Sequence, residues 1–131
     1  MMPTVIETTN GIKITVQTKY ENAHSRPAQA YYVFSYGISI ENTSDKTVQL
    51  MRRHWFIFDS VGGWNEVEGE GVVSQQPTLY PGEEYQYESF CPLISDMGKM
   101  FGNYLMKNIE DGSTFEVRIP LFELFVPHRF N

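Results

Sequence analysis

Apolar and polar residues alternate along most of this chain, the pattern of strands with one buried face. Ile12, Ile14 and Val16 alternate with Lys13, Thr15 and Gln17. After a polar stretch at residues 21–27, Tyr32, Phe34, Tyr36, Ile38 and Ile40 stand opposite Ser35, Gly37, Ser39 and Glu41. This run predicts a strand of about 12 residues, about 40 Å long. Asn42-Thr43-Ser44-Asp45-Lys46 predicts the turn that closes it. A third strand is expected over residues 47–59. Its alternation slips at Met51-Arg52-Arg53, where a bulge would change which side chains meet the core.

Gly62-Gly63 marks the next turn. Residues 64–73 carry Val67, Val72 and Val73 among acids and glycines and predict an irregular or edge strand. Gln75-Gln76-Pro77 breaks it, and Pro81-Gly82 is a second turn signal. Tyr85, Tyr87, Ser89 and Cys91 then share a strand face against Glu84, Gln86 and Glu88, and residues 92–99 are expected as a loop. Met100, Gly102, Tyr104 and Met106 alternate up to a hairpin signal at Glu110-Asp111-Gly112. Phe115, Val117 and Ile119 follow, and Pro120, which has no N–H to donate, is expected at an edge or bulge. No window has a helical period. Seven to eight strands spaced by turn signals predict an all-β chain, an antiparallel β-sandwich of fibronectin type III or immunoglobulin-like kind. It is read as one domain over residues 1–131, with a core of about 10–127.

Composition narrows the function classes. The chain has 131 residues and a net charge of −6, from 10 Lys and Arg against 16 Asp and Glu. That balance speaks against general nucleic-acid binding, which needs cations to displace phosphate counterions. No apolar run is long enough to span a membrane, and the N-terminus lacks the basic head and apolar run of a signal peptide. Cys91 is the lone cysteine, so no intramolecular disulfide framework exists and a reducing, cytoplasmic location is expected. The charge is local. Residues 54–98 hold eight acids and no Lys or Arg, whereas the rest of the chain nets +2. Such a block predicts an acidic face suited to a basic partner, with binding that weakens in salt.

Several segments in a fixed order carry a resemblance. They are Arg53-His54-Trp55, Glu66-Val67-Glu68-Gly69-Glu70-Gly71-Val72-Val73, Gln76-Pro77-Thr78-Leu79-Tyr80-Pro81-Gly82, Tyr85-Gln86-Tyr87, Met100-Phe101-Gly102-Asn103-Tyr104 and Phe115-Glu116-Val117-Arg118-Ile119-Pro120. Together they resemble the ApaG (CorD-like) family of small bacterial proteins along essentially the whole chain. The resemblance implies a fibronectin-III-like sandwich and bacterial relatives linked to cobalt tolerance and magnesium efflux. Similar domains in eukaryotic F-box proteins and a DNA-polymerase-interacting protein imply a partner-binding role.

Relatives in that family often read G-x-G-x-x-G, which has prompted suggestions of nucleotide or pyrophosphate binding. Here the segment is Gly69-Glu70-Gly71-Val72-Val73-Ser74, with serine at the third glycine. A phosphate loop aims backbone N–H groups at the anion from a helix N-terminus. No helix pattern follows here, and Glu70 adds negative charge. Glycines needed for their dihedrals are the commoner explanation. Gly69, Gly71 and Arg53 are the phosphate-binding candidates, Arg53 because its fork is bidentate. In a regular strand Arg53 and Trp55 share one face, with Trp55 in the core, while Arg52 and His54 share the other.

Arg52, His54, Glu66, Glu68 and Glu70 are the partner-binding candidates. The three glutamates line one strand face and would hold a hydrated hard cation only loosely. His24, His54 and His128 are far apart in sequence, so no metal and no cofactor is assigned. No serine sits in a G-x-S-x-G elbow, and no catalytic residue is assigned. Loops at residues 24–29 and 92–99 are expected to rim a partner site, with Tyr31 and Phe90 as exposed anchors. The first reading is therefore a non-enzymatic module that binds an unidentified protein partner. The alternative is a nucleotide or pyrophosphate binder with weak phosphohydrolase activity. Edge-strand pairing into a homodimer is a third outcome.

Overall fold

A computed structural model describes residues 4–127. Nine strands run in order: β1 (Val5–Thr9), β2 (Ile12–Tyr20), β3 (Tyr32–Asn42), β4 (Val48–Asp59), β5 (Gly63–Glu70), β6 (Thr78–Leu79), β7 (Glu84–Leu93), β8 (Met97–Asn108) and β9 (Thr114–Phe125). All pairings are antiparallel. One sheet has the order β1-β2-β3-β7, the other β5-β4-β8-β9, with β6 paired to the start of β4. The expected β-sandwich is thus the fold. No helix among the described residues is long and apolar enough to cross a membrane.

Register follows from the alternation. Ile14 pairs with Ile40 and Val16 with Ile38, so the buried faces of β2 and β3 coincide. These side chains meet Leu50, Trp55, Met100, Tyr104 and Ile119 of the other sheet in one buried cluster. The expected bulge in β4 is present. Leu50 pairs with Met106 but Arg52 pairs with Leu105, so Met51 is the extra residue. A one-residue shift reverses the facing of every later position in the strand. Val48 and Leu50 point inward before the bulge, and Trp55 does so after it. Arg53 joins Trp55 on the inner side, while Arg52, His54 and Phe56 turn outward. A second bulge sets Pro120 and Leu121 opposite Phe101, where Pro120 was expected to break the ladder.

Two expectations need correction. The strand count is nine rather than seven to eight, because β1 and the two-residue β6 were not anticipated. Asn10-Gly11, both at positive φ, forms the tight hairpin that brings β1 back onto β2. Residues 92–99 are not a loop. Pro92 and Leu93 end β7, β8 begins at Met97, and only residues 94–96 turn. β7 is a sheet edge, so a residue without an N–H is tolerated there. Residues 24–29 lie in the exposed connection between β2 and β3, as expected, which contains two short 3-10 turns, Asn22–His24 and Pro27–Gln29. His128 lies outside the described residues.

The two sheets meet unequally. β1 and β2 pack closely against β9, with Arg118 N–H donating to Thr9 Oγ1 at 3.3 Å and its guanidinium 3.6 Å from Glu7. β5 and β7, at the other end of each sheet, make no comparable approach. A cleft of about 620 Å³ opens between them.

Candidate functional site

The outward face of the five-stranded sheet is a grid set by register. Across β5, β4 and β8 its rows read Glu70, Arg52, Leu105; Glu68, His54, Asn103; Glu66, Phe56, Phe101; and Trp64, Phe58, Lys99. Glu66, Glu68 and Glu70 therefore form one column beside a block of rings. His54 stacks on Phe56 at 4.5 Å between centroids, and Phe56 stacks on Phe101 at 5.2 Å. Trp64 meets Phe101 at 5.8 Å and Phe58 at 5.0 Å. The Lys99 ammonium stands 5.5 Å from the Phe58 ring and 5.7 Å from Trp64, within cation–π range. Trp64 is 58% exposed, so this chain of rings faces solvent.

His54 sits where the two halves of the grid join. Its Nε2 is 2.8 Å from Glu66 Oε2 and its Nδ1 3.2 Å from Glu68 Oε1. One ligand atom from each of the three residues lies within 4.8 Å of the others, the one such group of three or more among the described residues. The donor set suits a divalent cation of borderline character. Both imidazole nitrogens already face carboxylates, so a cation would have to replace one of those contacts.

Arg53 lies on the inner side, at the mouth of the cleft. Its Nη1 donates to the carbonyls of Glu70 at 2.9 Å and Gly71 at 3.1 Å. Gly69 is directly across the ladder, and a Cβ there would stand 2.8 Å from both Nη atoms. Gly71 has φ +60°, and a Cβ on it would stand 2.0 Å from the Gln75 carbonyl oxygen. Both glycines thus have a conformational or steric task. The Gly71 N–H donates to Met51 O, and Val72 and Gln75 bond each other in both directions. The groups turned toward the Arg53 guanidinium are therefore carbonyl oxygens.

Three phenols share the interior with Arg53. Burial pushes the Tyr36, Tyr87 and Tyr104 hydroxyls above the usual range, and Tyr87 and Tyr104 bond each other. All three stay neutral at physiological pH. Cys91 is buried, its thiol pushed up to about 12 by burial and then by the charge of Asp59, so it is no nucleophile at neutral pH. Asp59 accepts N–H bonds from Val61 at 3.0 Å, Gly62 at 3.1 Å and Ile94 at 2.7 Å.

The structure divides the sequence candidates by face. Arg52, His54, Glu66, Glu68 and Glu70 come together outside, whereas Arg53, Gly69 and Gly71 come together at the inner rim. Trp55 is in the core, as expected. Tyr31 is exposed and belongs to neither group, whereas Phe90 is exposed and borders the cleft that Arg53 lines. Sequence reading did not single out Phe56, Phe58, Trp64, Phe101 or Lys99. The available signal was the doubled apolar pattern of β4 after its bulge, with rings on both faces.

Known proteins are similar to this chain. The ApaG domain matches residues 22–108. Protein ApaG of Brucella canis is 48% identical over 121 residues, 92% of this chain and 92% of its own. Protein ApaG of Paramagnetospirillum magneticum is 45% identical over 122 residues, 93% of each. A crystal structure described as an ApaA protein of Bordetella pertussis superposes with a TM-score of 0.84 at 40% identity, covering 93% of this chain and 95% of that one.

Proposed function

This chain belongs to the ApaG domain family, and from that membership we propose that it is a binding module, without catalysis of its own, that receives a basic protein partner on the outward face of the five-stranded sheet. One observation carries the reading. The rings of Phe58, Trp64, Phe101, Phe56 and His54 run continuously across a solvent-facing sheet, with the Glu66, Glu68 and Glu70 column alongside. Exposed aromatics supply interface anchors, and ring faces accept Lys and Arg side chains. The carboxylate column steers a cationic surface and fixes its orientation. The cobalt and magnesium link of the family is then indirect, through the partner.

The proximity of Arg53, Gly69 and Gly71 supports a second reading, nucleotide or pyrophosphate binding. The carbonyl oxygens around the guanidinium and the nearby Glu70 weigh against it.

The test is the affinity for Lys- and Arg-rich peptides of the wild type, Trp64→Ala and the triple variant Glu66→Gln, Glu68→Gln, Glu70→Gln. Each variant is expected to lose roughly tenfold or more, and wild-type binding to weaken with salt. Unchanged affinity in both variants counts against the outward face. Saturable thermal stabilisation by pyrophosphate would favour the second reading.

A further inference from the structure

Among the described residues, Arg53 is a cation without a carboxylate counter-ion. Its Nη1 hydrogens are taken by the Glu70 and Gly71 carbonyls. No carboxylate among the described residues pairs with it, and its Nη2 and Nε have no acceptor there. The nearby Tyr36, Tyr87 and Tyr104 are neutral. A partly buried guanidinium gains when an anion takes up such free donors, and the Nη2–Nε edge fits a carboxylate bidentately. Arg53 lines the cleft between β5 and β7 together with Tyr36, Ser89, Trp55, Ile57 and Met100. Beside the guanidinium the wall is phenol and hydroxyl; farther along β4 it is indole, isoleucine and methionine. A cleft of this size with a few polar groups at its ends and apolar side chains between them is the usual build of a small-molecule site.

We propose that this cleft binds a small monocarboxylate with an apolar body, its carboxylate on the free edge of Arg53 and its body along Trp55, Ile57 and Met100. The other end of the cleft sets the charge count. Asp59 lines it six residues along β4, about 20 Å from Arg53 by strand rise. Its oxygens are occupied by N–H donors, so its charge stays and repels a second carboxylate. This selects a ligand with one anionic end. The Arg53 end of the site is on the opposite side of the sheet from the ring grid, and Trp64, at the far end of the cleft, borders both.

Two-dimensional NMR titration tests it with 3-phenylpropionate and octanoate, using 3-phenylpropanol and inorganic pyrophosphate as comparisons. Both carboxylates are expected to shift the Asn65, Val67, Ser89 and Ile94 amides saturably, with the alcohol roughly tenfold or more weaker. Arg53→Gln is expected to abolish binding. Because Arg53 also holds the 70–71 carbonyls, Val67→Glu is the second variant. Val67 is 37% exposed on the cleft side of β5 beside Gly69, so this change sets a carboxylate against the guanidinium without removing its bonds. It is expected to abolish binding while the spectrum stays dispersed. Four results would overturn the proposal: no saturable shift with either carboxylate at millimolar concentration, equal binding of the alcohol, binding unchanged in a folded Val67→Glu protein, or pyrophosphate binding as tightly at the same amides.

Discussion

The guanidinium of Arg53 lies against Gly69, its partner directly across the β4–β5 ladder, at a distance no side chain on Gly69 would permit. Gly69→Ala is expected to cost about 1–2 kcal/mol in urea unfolding, because the Arg53 head must leave its two carbonyls. In Arg53→Ala the methyl has room, so the double variant should be more stable than the two single losses predict, by about 1 kcal/mol. Strict additivity would mean that the two residues do not share one space.

Val73 and Ser74 form a two-residue turn with φ of 46° and 65°, closed by paired bonds between Val72 and Gln75. Left-handed backbone is natural for glycine and costly for side chains with a Cβ. Ser74→Gly is therefore expected to raise stability by about 0.5–1 kcal/mol and the melting temperature by about 2–4 °C. Calorimetry showing no gain would place the strain elsewhere.

Asn42 is fully buried at the end of β3 and joins the two sheets. Its Nδ2 donates to Lys46 O at 2.7 Å and to Leu79 O in β6 at 3.0 Å, while its Oδ1 accepts from Ser44 N and Oγ. Asn42→Leu keeps the branched heavy-atom shape but removes all four bonds and leaves the Leu79 carbonyl without this donor, so a loss of about 2–4 kcal/mol is expected by chemical denaturation.

Asp59 gives the protein an acid limit. Burial alone would raise its pKa, but the hydrogen bonds from Ser95, Ile94, Val61 and Gly62 outweigh that and hold it below the usual carboxylate range. On acidification the unfolded chain takes up this proton first. The stabilisation is thus complete above the unfolded carboxyl pKa, about 3.9, and is lost as pH falls through the lower folded value. The gap in urea midpoint between wild type and Asp59→Asn should be constant near neutrality and close below about pH 4. A gap that persists at pH 2 would assign the effect to packing.

Alternation alone carried β2, β3 and β9, because each buries one face and leaves the other in solvent. The β4 bulge was legible as a slip in that alternation, and with it the division of Arg53 from His54. The β7–β8 turn was not, since Pro92 reads as a breaker until β7 is known to be an edge. His54, Glu66 and Glu68 were named together from the sequence, but their direct contacts were not legible. Glu66 and Glu68 reach His54 across a ladder, and cross-strand register is not written in the period of either strand. The ring grid was hidden in the same way, with Phe101 and Trp64 far from Phe56 in sequence and adjacent in the sheet.

The unequal meeting of the two sheets has a dynamic consequence. Close packing of β1 and β2 on β9 ties one flank, while β5 and β7 are both terminal strands held on one side only. Fluctuations that part the sheets therefore hinge on the β9 flank and widen the Arg53 side, breaking few ladder bonds. Amide protons of β5 and β7 should exchange through such local opening, and those of β2, β4 and β8 only near the free energy of global unfolding. Entry to the interior is built into the less stable flank, and the tied one keeps the molecule folded while it opens.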